Sequence, residues 1–395
     1  MKTETYVILT DKSPIVPTMD NLGTRGGPAA RDIPELLAVE EADLTVRERS
    51  NLRRDPRVRA IAPPMPMALV RPVESAAVQA AEAAEMAWGV AAVGAADSPF
   101  DGSGITVAVL DTGIDPLHPA FAGVELVRRN FTAEGDDDTV GHGTHCAGTV
   151  FGQDLDGRRI GVARNVRRAL IGKVLGEGGG SSATIAMAIQ WAVDQGAHVV
   201  SMSLGIDFPG FVEMLVQRYR LDINPATSMA LEAYRANVNL FTELASYVRT
   251  RSAFGQGCVI VAASGNESQR PEYEIAVGPP AAGTGIISVG ALEKTAAGLS
   301  VARFSNNQVD VSAPGVEIVS AVPGGGLGVK SGTSMATPHV AGVAALWAQQ
   351  QLETTGGVDG HRLAVKLIGS GTTESLVTGS EAEDYGNGLV RAPMR

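Results

Sequence analysis

The chain has 395 residues, 44% hydrophobic and 19% charged, the composition of a soluble globular protein with a substantial core. Its formal net charge of −11 excludes a broad phosphate-neutralising surface, so nucleic-acid binding is not expected. Two cysteines, Cys146 and Cys258, make no disulfide scaffold, and no stretch is long and apolar enough to span a membrane.

The amino terminus, MKTETYVILTDKSP, lacks a long apolar segment after a basic start, so it does not read as a secretory signal and cytoplasmic residence is expected. TYVILT (5–10) reads as a strand, followed by about twenty turn-rich residues. Residues 33–46 read as a helix, with Ile33, Leu36, Leu37 and Val39 among its apolar positions. The arginine-rich run RERSNLRRDPRVR (47–59) reads as a solvated face or a partner for an acidic surface of the same molecule. VRAIA (58–62) is a second strand stopped by Pro63 and Pro64, MPMALVRP is extended, and the alanine-rich segment Glu74–Met86 is a helix or helical linker.

After Gly102 the texture changes. ITVAVLD (105–111) is a nearly unbroken apolar run, which suits a central parallel strand covered on both faces. VRRALIGKVL, HVVSMSL, CVIVAAS and GIISVGA repeat that texture, with helical patterns over 181–195 and 334–350 between and after them. The alternation predicts an α/β fold with a mostly parallel sheet; another α/β hydrolase or a dinucleotide fold shares this pattern. Residues 206–257 are long for a crossover and carry helical spacing over 211–219 and 225–248, with Leu231, Tyr234, Val238, Phe241, Ala245 and Val248 as the apolar stripe.

Three distant segments each hold one member of a nucleophilic triad. Asp111 ends an apolar strand, His142 sits in GHGTHCAG, and Ser334 sits in SGTSMATPHVAG at the start of a helical pattern. A histidine near neutrality can take the serine proton, an aspartate orients the ring, and a helix amino terminus offers N–H groups to a developing oxyanion.

VAVLDTGID, GHGTHCAG and GTSMATPHVAG, in that order, resemble the subtilisin-like serine peptidases (subtilases), and the resemblance covers about residues 88–393, including the closing DYGNGLVRA. The resemblance implies a subtilisin-like three-layer α/β domain and hydrolysis of extended polypeptides through Asp111, His142 and Ser334. AASGN (262–266) matches the segment that supplies the family's oxyanion asparagine, which points to Asn266. Ser203, Leu204 and Gly205, and Leu175, Gly176 and Gly178 of LGEGG, resemble the two edges that clamp a peptide backbone. Ala263, Ser264 and Gly265 line the implied primary pocket, near Pro279–Ala281, and the absence of charge in those strips predicts a large apolar or aromatic residue before the scissile bond. A catalytically silent binding protein of the same fold, or an esterase, would share these motifs.

The resemblance further implies that residues 1–75 form a small α+β propeptide-like domain, with 76–395 as the catalytic domain. The segment through MPMALV would then lie in the cleft as an intramolecular inhibitor, cut somewhere in 66–85; a standing regulatory domain is the competing view. No cofactor is required by this chemistry. Family members commonly bind calcium after the histidine helix, where this chain has FGQDLDGRRIGVA with Arg158 and Arg159; EGDDDT (134–139) is the other acidic loop open to structural calcium. Cys146, one turn past His142, is expected to pack, with sensitivity to thiol-reactive metals as the alternative. His145 and His339 are expected to be packing groups.

Overall fold

The computed structural model describes residues 3–13, 37–70, 85–254 and 257–395. At the amino-terminal end, β1 (Glu4–Asp11) is the centre of a three-stranded antiparallel sheet, paired with β2 (Leu37–Leu44) and, beyond α1 (Val46–Leu52), with β3 (Val58–Ala62). Thr45 and Glu48 cap α1 reciprocally, each side chain accepting the other's backbone N–H. The helix expected over 33–46 is not formed. Its first four residues lie outside the described ones, and 37–44 are β2, in register with β1 along their whole length. Cross-strand pairing and burial of Leu37 and Leu44 outweigh the helical spacing. The alanine-rich helix expected from Glu74 lies, through residue 84, outside the described residues.

A short strand, β4 (Pro66–Leu69), follows. Then come α2 (Trp88–Ala92), β5 (Thr106–Asp111), β6 (Glu125–Asn130), α3 (His142–Phe151), β7 (Arg168–Lys173), β8 (Gly180–Ser181), α4 (Ser182–Asp194), β9 (Val199–Met202) and β10 (Leu204–Gly205). The remainder is α5 (Phe208–Tyr219), α6 (Ile223–Thr250), β11 (Val259–Ala263), β12 (Ile287–Thr295), β13 (Gly298–Val301), β14 (Val311–Pro314), β15 (Ile318–Val322), β16 (Gly326–Lys330), α7 (Thr333–Thr355), α8 (Gly360–Gly369) and α9 (Ala382–Tyr385).

The large sheet runs β13-β12-β11-β9-β5-β7-β6, with β14 also against β12, and every pairing is parallel except β12 with β13. It has a core on each face, which is why its strands read as unbroken apolar runs. On β5, Val107 and Val109 join the core shared with α3, α7 and α8, while Ala108 and Leu110 join the one shared with α4 and α6. The three-layer α/β architecture expected from the sequence is therefore present.

Residues 206–257 hold two helices, as the periodicity predicts. Asp207 caps α5 by accepting the Gly210 N–H at 2.9 Å. Of the expected stripe of α6, Phe241, Ala245 and Val248 are buried and Tyr234 and Val238 half-buried, whereas Leu231 faces solvent and Ala226, Ala230 and Ala233 face inward instead. Small residues on the inner face let the helix pack against its neighbours without steric cost. Its other neighbour is the amino-terminal sheet, since α6 lies against β3 and α4 against β2. Gln190 accepts the Val39 N–H at 3.2 Å and donates to the Leu37 carbonyl at 2.9 Å. Buried Asn237 donates to the Pro63 carbonyl at 2.9 Å, and the arginine run sends Arg59 to Glu243 at 3.2 Å and Arg49 to the Tyr6 hydroxyl.

Asn237→Ala removes the donor for Pro63 and should weaken this docking by about 1–3 kcal/mol. The expected readout is a lower Tm and faster trimming of the first 70 residues by an added protease; trimming at the parental rate would contradict it.

Candidate active site

The carboxyl ends of the parallel strands supply most of the site. Asp111 is the last residue of β5, and its Oδ1 accepts the Nδ1–H of His142 at 2.7 Å and the Thr112 N–H at 2.8 Å. Both catalytic candidates are buried, at 1% exposure. His142 opens α3, and the turn before it needs Gly141 at φ +74°. Its neighbour Gly143 passes so close to the strand end that a Cβ there would lie 2.2 Å from the Gly113 carbonyl. Burial works against charge on His142, but the Asp111 carboxylate outweighs it, and the imidazole pKa is raised well above its usual value.

Ser334 lies in the first turn of α7, whose backbone N–H groups have no intrahelical acceptor. Its hydroxyl donates to the Val70 carbonyl at 3.0 Å and to the Ser203 carbonyl at 3.3 Å. His142 Nε2 is buried without a hydrogen-bond partner among the described residues. Aspartate and histidine are thus joined, while the serine hydroxyl points at a peptide carbonyl. Cys146 stands between the two halves, with Sγ 3.8 Å from His142 Nδ1 and 3.4 Å from the Ser334 carbonyl. Asn266 Oδ1 accepts the Thr333 N–H and hydroxyl, both at 2.9 Å, which anchors that amide beside the start of α7.

The strand at the cleft is the chain's own β4. Leu69 and Ala68 pair antiparallel with Leu204 and Gly205 of β10. On the other side, Pro66 and Met67 pair with Ser181 and Gly180 of β8, not with Leu175, Gly176 or Gly178. The LGEGG segment uses its own backbone groups, because Gly176 and Gly179 bond each other in a tight turn. Gly179 still touches β4, and a Cβ there would lie 2.6 Å from the Met67 carbonyl. Met65, Met67 and Val70 are buried, each worth about 1.5–3 kcal/mol of apolar burial.

Val70 abuts a pocket of about 60 Å³ that Gly205, Ala263, Ser264, Gly265 and Pro279 line, with Phe208 and Tyr234 from the two inserted helices. Those rings meet edge to face, 5.5 Å apart, so this outer wall comes from a region where the sequence showed only helical spacing. Glu267 also lines it, accepting from Asn306 at 2.7 Å, and burial pushes its carboxyl pKa up. It follows Asn266 directly, just beyond the strip read as uncharged.

Asp111, His142 and Cys146 are the one cluster of three potential metal ligands among the described residues. The 2.7 Å hydrogen bond between the first two leaves no room for an ion. The Cys146 thiol is 1% exposed and burial raises its pKa, so packing is its role here. Cys258 is also buried and free, its pKa pushed up to about 12. His145 and His339 are buried, donate to the Ile318 and Met335 carbonyls, and are held neutral by burial, with pKa values of about 3 and about 4.

Both acidic loops carry basic side chains against their oxygens. In 151–163, Arg159 donates to the carbonyls of Ala95 at 3.0 Å, Val162 at 3.1 Å and Gly161 at 3.3 Å, and Asp154 pairs with Arg164. In 134–139, the Lys173 ammonium donates to the Asp137 carbonyl at 2.7 Å and lies 3.8 Å from Glu134, and four donors saturate the Asp138 carboxylate.

A family model described as the subtilase family matches residues 102–383. The chain is 34% identical over 258 residues to an intracellular serine protease of Paenibacillus polymyxa, covering 63% of this chain and 68% of that protein. It is 34% identical over 278 residues to a thermophilic serine proteinase of a Bacillus species, covering 68% of this chain but only 59% of that protein. A thermostable alkaline protease of Halalkalibacterium halodurans is 29% identical over 366 residues, 91% of this chain and 83% of its own length.

The raised pKa of His142 sets a pH dependence. Only the neutral imidazole accepts a proton, and that form grows as pH climbs through the raised value. After removal of the first 70 residues, fluorophosphonate labelling of Ser334 should rise with pH on a limb centred above about 6.5. A midpoint at or below that value would overturn the assignment.

Proposed function

Because the chain belongs to the subtilase family and is a serine endopeptidase, we propose that Asp111, His142, Ser334 and Asn266 carry its chemistry and that its first substrate is its own Val70–Arg71 bond. The observation carrying this reading is the approach of the Val70 carbonyl to within 3.0 Å of Ser334 Oγ, with β4 hydrogen-bonded on both edges.

In this mechanism the Ser334 hydroxyl swings toward His142 Nε2, gives up its proton and attacks the Val70 carbonyl carbon. The oxyanion is received by the Ser334 N–H and the Asn266 amide, each such donor worth about 3 kcal/mol. Asp111 stabilises the imidazolium, which then protonates the departing amine, and water hydrolyses the Val70 ester. The released segment ending at Val70 retains its strand pairing and its contacts to α4 and α6, so it acts as an inhibitor until removed. Residues 1–75 are accordingly read as a propeptide-like domain that ends close to the cut.

Other polypeptides would enter as β4 does. Val70 and the Phe208–Tyr234 wall favour a medium aliphatic side chain before the scissile bond rather than the large one expected from the pocket strips alone. Edge pairing rewards extended peptides and gives a small ester nothing, which favours endopeptidase over esterase. Cytoplasmic residence draws support from the relative named an intracellular serine protease, and would fail if fractionation found the protein outside the cell.

Mass spectrometry should find wild-type protein divided after Val70 and Ser334→Ala at full length. Both forms remaining whole would make the amino-terminal region a standing part of the enzyme. No calcium dependence is expected through the two loops. A chelator should leave Tm unchanged, whereas Arg159→Ala should lower it by stranding three carbonyls; a chelator-induced drop reversed by calcium would refute this.

A further inference from the structure

Asp138 is 5% exposed, and the strand–helix pattern of the sequence did not single it out from the acidic loop EGDDDT. Its Oδ1 accepts the Thr112 hydroxyl at 2.7 Å and the Gly141 N–H at 2.8 Å. Its Oδ2 accepts the Thr144 N–H at 2.8 Å and the Thr144 hydroxyl at 2.6 Å. Thr112 in turn accepts the Gly143 N–H at 2.9 Å, and its own N–H donates to the Asp111 carboxylate. A single buried carboxylate therefore grips the residue after Asp111 and the residues flanking His142.

We infer that Asp138 is a positioning residue of the peptidase, holding the end of β5 and the start of α3 at the separation the Asp111–His142 hydrogen bond needs. The N-cap residue itself contributes no side-chain cap to α3. Gly141 occupies its N-cap without a side chain, and Asp138 and Thr112 satisfy the N–H groups of Gly143 and Thr144 from outside the helix. The turn leading into the helix is left-handed at Gly141, so the local backbone gains rigidity from the carboxylate. Acceptor-only chemistry is required. Four donors converge on two oxygens, and an amide would direct its NH2 group at a backbone N–H or a hydroxyl. The inference rests on Asp111 and His142 being the catalytic pair. The titratable groups facing His142 are Asp111 from β5 and Cys146 and His145 from α3.

The test uses the full chain in two readouts. In a Ser334→Ala background, which needs no turnover, proton NMR follows the His142 Nδ1–H held by Asp111. Asp138→Asn should speed its exchange with water, and Asp138→Ala should abolish the protected signal. In the active chain, self-cleavage should slow on the order of tenfold to hundredfold in Asp138→Asn, the scale expected of a misplacement near an ångström. The acid limb of the pH profile should also move down as the hold of Asp111 on the imidazole loosens. Thr144→Val, which removes one of the four donors, should show smaller changes in the same direction and serves if Asp138→Ala does not fold. An unaltered Nδ1–H signal and pH limb in Asp138→Asn, with only a lower Tm, would overturn the inference. A wild type that never cleaves itself would count against self-processing and leave the NMR comparison decisive.

Discussion

A hydrogen-bonded carboxylate and imidazole 2.7 Å apart, both shut away from water, are the constraint on which the site depends. Desolvation alone would keep the ring neutral and unheld. The Asp111 charge reverses that balance, fixes Nδ1 as the donor, and so directs Nε2 away from it. Removing one partner of such a buried pair typically costs about 3–5 kcal/mol, because the other is left uncompensated. Much of the surrounding sequence serves this contact: glycines at 141 and 143 permit the approach of helix to strand, and Thr112 and Asp138 hold it.

The second half of the site is organised around a peptide strand. Ser203 ties the start of α7 to this edge, since its carbonyl accepts the Ser334 hydroxyl and its own hydroxyl donates to the Ser334 carbonyl at 3.0 Å. The next two residues, Leu204 and Gly205, pair with β4. A shift of the strand along this edge would therefore disturb the Ser334 hydroxyl. The inserted helices extend the arrangement outward, with α6 holding the amino-terminal sheet through Asn237 while Tyr234, one turn earlier, walls the pocket at Val70.

Legibility in the sequence followed the range of the forces involved. ITVAVLD announced a strand buried on both faces because periodicity is local, and the α/β class followed from repetition of that texture. The glycine-framed motifs around Asp111, His142 and Ser334 were readable because tight approaches demand particular residues at particular places. LAVEEADL misled, since its apolar spacing suits a helix and only pairing with β1, some thirty residues earlier, makes it β2. Leu231 misled likewise, at the start of a stripe that otherwise holds through Phe241, Ala245 and Val248: there Ala226, Ala230 and Ala233 meet the neighbours instead.

By itself, the sequence determined the chemistry available and the class of scaffold, because residue type and short-range spacing decide what can ionise, attack or turn. Tertiary structure alone decided which edge receives β4, that Gly180–Ser181 rather than Leu175–Gly179 completes it, and that Val70 meets Ser334. It also brought Lys173 to the Asp137 carbonyl of EGDDDT and four donors to Asp138. The reason is physical: a carboxylate looks the same in any sequence, and its function depends on which donors and cations the fold brings to it.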